Sequence, residues 1–434
     1  MTTLSASSAP TLARSDSADA LYRRIAWRLL PLLFVCYIAA YLDRVNIGFA
    51  KLQMQGALHF SDAVYGLGAG VFFIGYFLFE VPSNVLLTRI GARNWIARIL
   101  VTWGLLSAAT YVVNSEGSFY LLRFLLGAAE AGFFPGVVLY FTYWFPAQRR
   151  SRSLSIFLIA IPLSGIVGGI ASGWILKGMA GVHGMAGWQW MFILQGLPTC
   201  LLGVLVWFFL DNGPDSAKWL SKEEKQYVKA QLASEAGRAH EMSVLRVLFH
   251  PGVLLLSLVY FCLVAGLYGV SFWLPTILKG MGITDPLNVG LVSAVPWTLS
   301  IFAMYFAARS ADRRLEYRRH VAVAALVAAA GLAMSAAAGS NRGVALVGLA
   351  VGMMGIMATL PVFWGLPTRM LKGVAAAAGI AFVNSCGNLS GFVAPFVIGL
   401  IKDATGSTTN GVYALAGTLA VGALAVLVTR SHSD

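Results

Sequence analysis

The sequence predicts an all-α membrane protein that crosses the bilayer twelve times. Three observations carry this. Of 434 residues, 58% are hydrophobic and only 11% charged, against about a quarter charged in soluble domains. Apolar runs of the length a helix needs to cross the hydrocarbon recur along nearly the whole chain. The runs are continuous, whereas membrane β-strands alternate over short segments.

The spans fall near 25–50, 62–86, 94–113, 118–144, 154–175 and 189–210, then 251–277, 288–308, 320–338, 343–365, 374–400 and 411–429. Residues 1–20 are rich in Ser, Ala and Thr and read as a disordered cytoplasmic tail. With no cleavable signal, the first span serves as the targeting signal. Residues 21–210 form a first six-helix bundle, 211–250 a cytoplasmic linker, and 251–430 a second six-helix bundle. The linker opens on the turn "DNGP" and carries Ser221 and Glu224 at capping-box spacing. A surface helix is expected there, its charges forming a solvated face.

The net charge of +13 raises the question of nucleic acid, and the placement of the charges excludes it. With the N-terminus inside, 24 of the 31 Lys and Arg fall on the inner side and 5, including Lys51, on the outer. Arg44 and Arg123 lie within spans. The basic excess is thus a topology signal that places both termini in the cytoplasm. Cys36, Cys200, Cys262 and Cys386 lie in apolar runs without metal-ligand spacing and read as small hydrophobes.

The two halves repeat. "NVLLTRIGAR" (84–93) follows span two, and "ARSADRRLEYRR" (308–319) follows span eight. Both resemble the G-x-x-x-D-R-x-G-R/K loop of the major facilitator superfamily. Thr88-Arg89 and Asp312-Arg313 match its D-R pair, while Asn84, Ala308 and Leu315 depart from its glycines. The resemblance implies a 6+6 pseudo-symmetric bundle with a central cavity. Arg89, Asp312 and Arg313 are then candidate gating residues.

Five ionisable residues stand clearly inside spans: Asp43, Arg44, Glu80, Arg123 and Glu130. Such groups are costly in lipid and mark functional sites. Arg123 and Glu130, seven residues apart, share a helix face with roughly 10 Å of rise between them, so each is expected to meet a group from another helix. Asp43 and Arg44 point about 100° apart; Arg44 is expected to face the cavity and Asp43 its flank. Two cations at mid-membrane suit an anion, and arginine's fork grips a carboxylate through two parallel hydrogen bonds. Asp43 and Glu130 are candidate proton carriers, with protonation of Glu130 freeing an arginine from internal pairing. Glu80, near the inner end, is expected to anchor a gate, with the arginines of the following loop as partners. Tyr41 and Tyr76, and Asn384 and Asn388 one turn apart in span eleven, are further candidates to line the site. Gly165, Gly169 and Gly173 in span five read as a close-packing stripe.

"YLDRVNIGFA", "EVPSNVLLTRIGARNW", "LLRFLLGAAEAGFFPGVVLYFTYWFP" and "SFWLPTILK" together resemble the anion:cation symporter family of that superfamily, over about residues 20–430. The resemblance implies proton carriage by Asp43 and Glu130, anion binding and coupling by Arg44 and Arg123, and a site lined by Tyr41, Tyr76 and one of the span-eleven asparagines. A family glutamine in span five has no counterpart among Ile161, Pro162 and Ser164. The expected protein is a bacterial inner-membrane importer of a small organic anion with protons, working as a monomer by alternating access. A sugar acid or hydroxy-dicarboxylate such as galactonate, glucarate or tartrate is the first reading and an aromatic carboxylate of the phthalate type the second. A drug/proton antiporter and an anion sensor are the rivals. No catalytic or nucleotide-binding motif is present, so no enzyme activity and no cofactor are expected.

Overall fold

The computed structural model describes residues 15–236, 249–370 and 374–429, and among them every regular element is helical. Twelve segments of these residues are long and apolar enough to cross a membrane. The first six are Ser17–Leu58, Asp62–Ile90, Ala92–Val112, Glu116–Thr142, Ala147–Gly178 and Gly187–Phe209. The second six are Pro251–Gly280, Pro286–Arg314, Tyr317–Ala337, Arg342–Met370, Gly379–Thr405 and Thr409–Val428. Large apolar side chains such as Leu78, Val81, Phe208, Phe302 and Leu424 lie exposed on the perimeter. That belt suits lipid, not water.

Span one corrects two expectations. Its first helix, Ser15–Val45, begins inside the segment read as a tail. Leu21, Tyr22 and Ile25 are buried, the Tyr22 ring lies 6.4 Å from that of Phe145, and Asp19 pairs with Arg149 at 2.5 Å. These contacts offset the entropy of ordering the segment; residues 1–14 lie outside the described residues. After an interruption at Asn46, the span continues as the helix Ile47–Leu58. Lys51, expected in an outer loop, is therefore buried within the span.

The linker has its helix, Lys222–Ala236, capped reciprocally. The Glu224 N–H donates to Ser221 Oγ at 3.2 Å and the Ser221 N–H to Glu224 Oε2 at 2.9 Å. It is more than a solvated face. Val228 and Leu220 are buried, Trp219 stacks on Trp144 of span four's end with centroids 5.9 Å apart, and Glu224 pairs with Arg24. Residues 237–248 lie outside the described residues.

The halves meet where span two packs on eleven, five on eight, and the latter part of one on seven. Small residues make this possible. A Cβ at Gly290 would lie 2.3 Å from the Gly169 carbonyl oxygen, and one at Gly173 would lie 2.4 Å from that of Pro286. The span-five stripe is thus a seam against span eight. At the end of the bundle opposite the basic loops, a charge cluster closes the seam between two and eleven. Lys51 pairs with Asp62, and Lys402 reaches the same oxygen at 3.1 Å. Asp403 accepts from the backbone N–H groups of Asp62 (2.9 Å) and Ala63 (2.8 Å). The Lys51 ammonium also rests 3.9 Å from the centroid of the Trp273 ring, a cation–π contact across the halves.

Span four is broken. The helix Glu116–Glu130 stops, Ala131 is extended (ψ 131°), Gly132 takes φ +86°, and the helix Phe133–Thr142 resumes. Gly132 suits this place twice: its backbone is left-handed, and a Cβ there would lie 2.3 Å from Ser83 Oγ. The break sets Glu130 at a helix C-terminus in mid-bundle, the arrangement from which membrane transporters build binding sites.

Glycine contacts differ enough along the chain to be tested. A Cβ at Gly127 would lie 1.9 Å from the Phe72 carbonyl oxygen, whereas one at Gly417 meets nothing within 4 Å. Gly127→Ala is expected to destabilise the purified protein by about 1–3 kcal/mol, as overpacking does, and Gly417→Ala to leave its thermal midpoint unchanged. Equal midpoints for the two variants would contradict this packing.

Candidate functional site

Arg44 is the centre of the site. It projects from span one into the space between the halves and is 7% exposed. Its Nη1 donates to the Tyr268 hydroxyl of span seven at 2.7 Å, and its Nη2 pairs with Glu130 Oε1 of span four. Four aromatic rings surround the guanidinium, with centroids at 5.2 Å (Tyr76), 5.4 Å (Phe72), 5.9 Å (Phe73) and 6.0 Å (Tyr268). Aromatic faces hold a cation without neutralising it. The arginine is thus bound to one carboxylate and one hydroxyl, supplied by opposite halves.

The ion pair is incomplete. Arg44 Nε and Glu130 Oε2 have no partner among the described residues. Both ions are buried, and an arginine–carboxylate pair can make two parallel bonds where this one makes one. Glu130 also ends its helix, where the backbone dipole opposes a negative charge. Arg44 is its ion-pair partner among the described residues.

Arg123 is 1% exposed and bonds the backbone of span two: Nε to the Gly68 carbonyl and Nη2 to that of Ala69, each 3.3 Å. Its Nη1 lacks a partner among the described residues. Both arginines contact the Phe72 ring, Arg123 at 5.0 Å from its centroid and Arg44 at 5.4 Å. Sequence spacing allowed Arg123 and Glu130 separate partners, and the structure supplies them.

Asp43 turns away from Arg44. Its Oδ1 accepts from Ser107 Oγ (3.0 Å) and Asn46 Nδ2 (3.4 Å), and its Oδ2 from Thr199 Oγ1 (3.2 Å). Spans three and six hold it, and among the described residues no cation pairs with it. The Tyr41 hydroxyl meets Ser271 Oγ at 3.3 Å, and its ring lies edge-on to Trp297 at 6.1 Å. Beside them a void of about 10 Å³, lined by Asn46, Ser172, Ser271 and Trp297 among others, has room for one water. Asn384, Gly387, Asn388 and Gly391 share a helix face. A Cβ at Gly387 would lie 2.2 Å from the Tyr260 ring and one at Gly391 2.5 Å from the Phe73 ring. That face is turned toward spans seven and two.

Glu80 does not meet the loop arginines. Its Oε2 accepts from Ser385 Oγ of span eleven at 3.5 Å, so its carboxylate reaches across to the other half. Arg89 and Arg313 are exposed and form no ion pair among the described residues, while Asp312 is taken by the Tyr317 hydroxyl of its own loop at 2.8 Å. The structure does not bring these three to the site. Sequence reasoning missed Phe72 and Phe73 as neighbours of Arg44. It also passed over Asn46 and Gln195, although an amide in an apolar run was the signal that singled out Asn384 and Asn388.

The family profile described as the Major Facilitator Superfamily matches residues 33–395. A protein of Agrobacterium vitis named for tartrate transport is 48% identical over 421 residues, covering 96% of this chain and 93% of its own. A protein of Acinetobacter baumannii named as a quinolone resistance transporter is 43% identical over 397 residues, 91% of each chain. A solved bacterial homolog of the human lysosomal transporter Spinster, inward-facing and occupied, matches with a TM-score of 0.73 at 15% identity, over 94% of this chain and 95% of that one. This last likeness is one of fold.

Removing one member of the buried pair strands the other. Arg44→Met is expected to cost about 3–5 kcal/mol of stability, read as a lowered thermal midpoint in detergent. The double variant Arg44→Met/Glu130→Met is expected to recover most of it. If the double variant is no more stable than the single one, Glu130 does not rely on Arg44.

Proposed function

We propose, from the premise that this chain belongs to the Major Facilitator Superfamily, that it imports a small organic anion together with protons across a bacterial inner membrane, both termini being cytoplasmic. A sugar acid or hydroxy-dicarboxylate such as galactonate, glucarate or tartrate is the substrate class. One observation carries the reading: Arg44 now holds a carboxylate, Glu130, and a hydroxyl, Tyr268, from the two halves. A hydroxy acid offers the same two groups on one molecule. The Agrobacterium vitis relative named for tartrate transport supports the same class.

Protonated Glu130 is a poor counter-ion, and Arg44 is then free to take the substrate carboxylate. The unused Nε beside Nη2 completes the fork that a carboxylate fits. Proton and anion thus enter together. Arg123, which also contacts the Phe72 ring, adds a second positive charge to the same region, and Asp43 is a second protonation site. Tyr41, Tyr76, Asn384 and Asn388 line the approach. Glu80, through Ser385, joins the halves on the basic-loop side, and the lysine–aspartate cluster joins them at the other end. Opening one closure while keeping the other is alternating access.

The Acinetobacter baumannii relative named for quinolone resistance favours a second reading, efflux of a drug against protons. The direction of coupling separates the two. In proteoliposomes with an inward proton gradient of one pH unit, the wild type is expected to accumulate L-tartrate about tenfold per coupled proton, since one unit is worth 1.36 kcal/mol. Glu130→Gln is expected to equilibrate tartrate without accumulating it, while counterflow exchange survives. Accumulation that follows pH in Glu130→Gln removes Glu130 from the coupling. Extrusion, or no movement of tartrate, galactonate or glucarate in the wild type, removes the import reading.

A further inference from the structure

We propose that Asn46 reads the protonation state of Asp43 by reversing its side-chain amide, together with that of Gln195. The proposal rests on Asp43 being a proton carrier and names the groups that answer to its proton.

Among the described residues, the Asp43 carboxylate meets the Ser107 and Thr199 hydroxyls and the Asn46 amide nitrogen, with the Trp103 indole N–H beside it as a further donor. That set suits a charged carboxylate. A protonated one presents an O–H and needs an acceptor. Asn46 is 1% exposed, and its Oδ1 is buried without a partner among the described residues. An unpaired buried acceptor is costly, and this one belongs to the amide already turned on Asp43.

The neighbours allow the reversal. Asn46 Nδ2 also donates to Gln195 Oε1 at 3.1 Å, and Gln195 Nε2 donates to Ser172 Oγ at 2.9 Å. If both amides turn over, the Asp43 O–H donates to Asn46 Oδ1, Gln195 Nε2 donates to the same oxygen, and the Ser172 hydroxyl rotates to donate to Gln195 Oε1. Each of these links keeps one donor and one acceptor, with its direction reversed, while the Asn46 amide nitrogen takes the position its oxygen held, where no partner stands among the described residues. No proton passes through the amides; the one added proton stays on Asp43. Asn46 and Ser172 both line the small void between the halves, which gives the amide room to turn. Asn46 also stands at the interruption of span one, so the reversal acts where that span is least regular.

The charged or titratable groups in electrostatic reach of Asp43 are Glu130 on span four, Arg123 on the same span and Cys200 on span six. Arg44, next in sequence, is engaged on the other side with Glu130 and Tyr268. The rival acceptors for a protonated Asp43 are the hydroxyls of Ser107 and Thr199.

The test is infrared titration of the purified full chain in lipid nanodiscs without substrate, which separates its outcome from that of the import reading. The acid carbonyl band of Asp43 is assigned by its loss in Asp43→Asn. In Asn46→Leu this band is expected to move to the frequency of a less hydrogen-bonded acid. Its midpoint is expected to rise by about one pH unit, because the charged form loses the stronger bond. Asn46→Ser, which keeps a donor and an acceptor, is expected to stay near the wild type. A wild-type band in folded Asn46→Leu gives the acceptor role to Ser107 or Thr199 and overturns the proposal. Absence of any titrating band lost in Asp43→Asn overturns it as well. A second measurement needs no variant at position 46: in protein labelled with ¹³C,¹⁵N-asparagine, one side-chain amide band is expected to shift with the Asp43 midpoint and to stop shifting in Asp43→Asn. Asparagine bands indifferent to pH sink the idea.

Discussion

A guanidinium and a carboxylate buried together inside a membrane bundle set the terms for the residues around them. Each ion costs several kcal/mol to desolvate, and their attraction repays this only with good geometry and further hydrogen bonds. The Arg44–Glu130 pair has a single contact where two are possible, and one unpartnered atom on each side. Rings of Phe72, Phe73, Tyr76 and Tyr268 support the cation. The break at Ala131 and Gly132 supports the anion less well, since it leaves Glu130 at the negative end of a helix. A pair built this way persists but is not locked.

The surroundings follow from that requirement. Phe72 contacts both Arg44 and Arg123, and Gly127 allows span four to sit directly on the backbone of span two at Phe72. Tyr268 supplies the other contact of Arg44 and belongs to the second half, so the arginine is held by both lobes at once.

Much of this was legible in the sequence because lipid penalises polar groups so heavily. Twelve apolar runs, the sided distribution of Lys and Arg and the five intramembrane ionisable residues followed from that penalty alone. Arg44 and Glu130 emerged as important, and Glu130 was expected to pair with an arginine, but which arginine did not emerge. Helix spacing says which groups share a face of one helix and nothing about which helix lies opposite. Phe72 and Phe73 were invisible for a different reason: an aromatic residue in an apolar run carries no mark of facing a cation. Lys51 was misplaced because a polar "KLQMQG" stretch reads as a loop. Asp62 and the ring of Trp273 make its ammonium affordable within a helix. Residues 15–20 were read as disordered because the partner of Asp19 is the far-off Arg149, which composition cannot show.

The cluster of Lys51, Asp62, Lys402 and Asp403 has a consequence for the energetics of motion. Lys51 and Asp62 belong to the first lobe, Lys402 and Asp403 to the second. Drawing the lobes apart at that end is an electroneutral split: each leaves with one ammonium and one carboxylate of its own. The Lys177–Asp285 contact between spans five and eight is partly open to water. A seam held by charges can therefore come undone and close again without the penalty that separating a lone buried pair would exact.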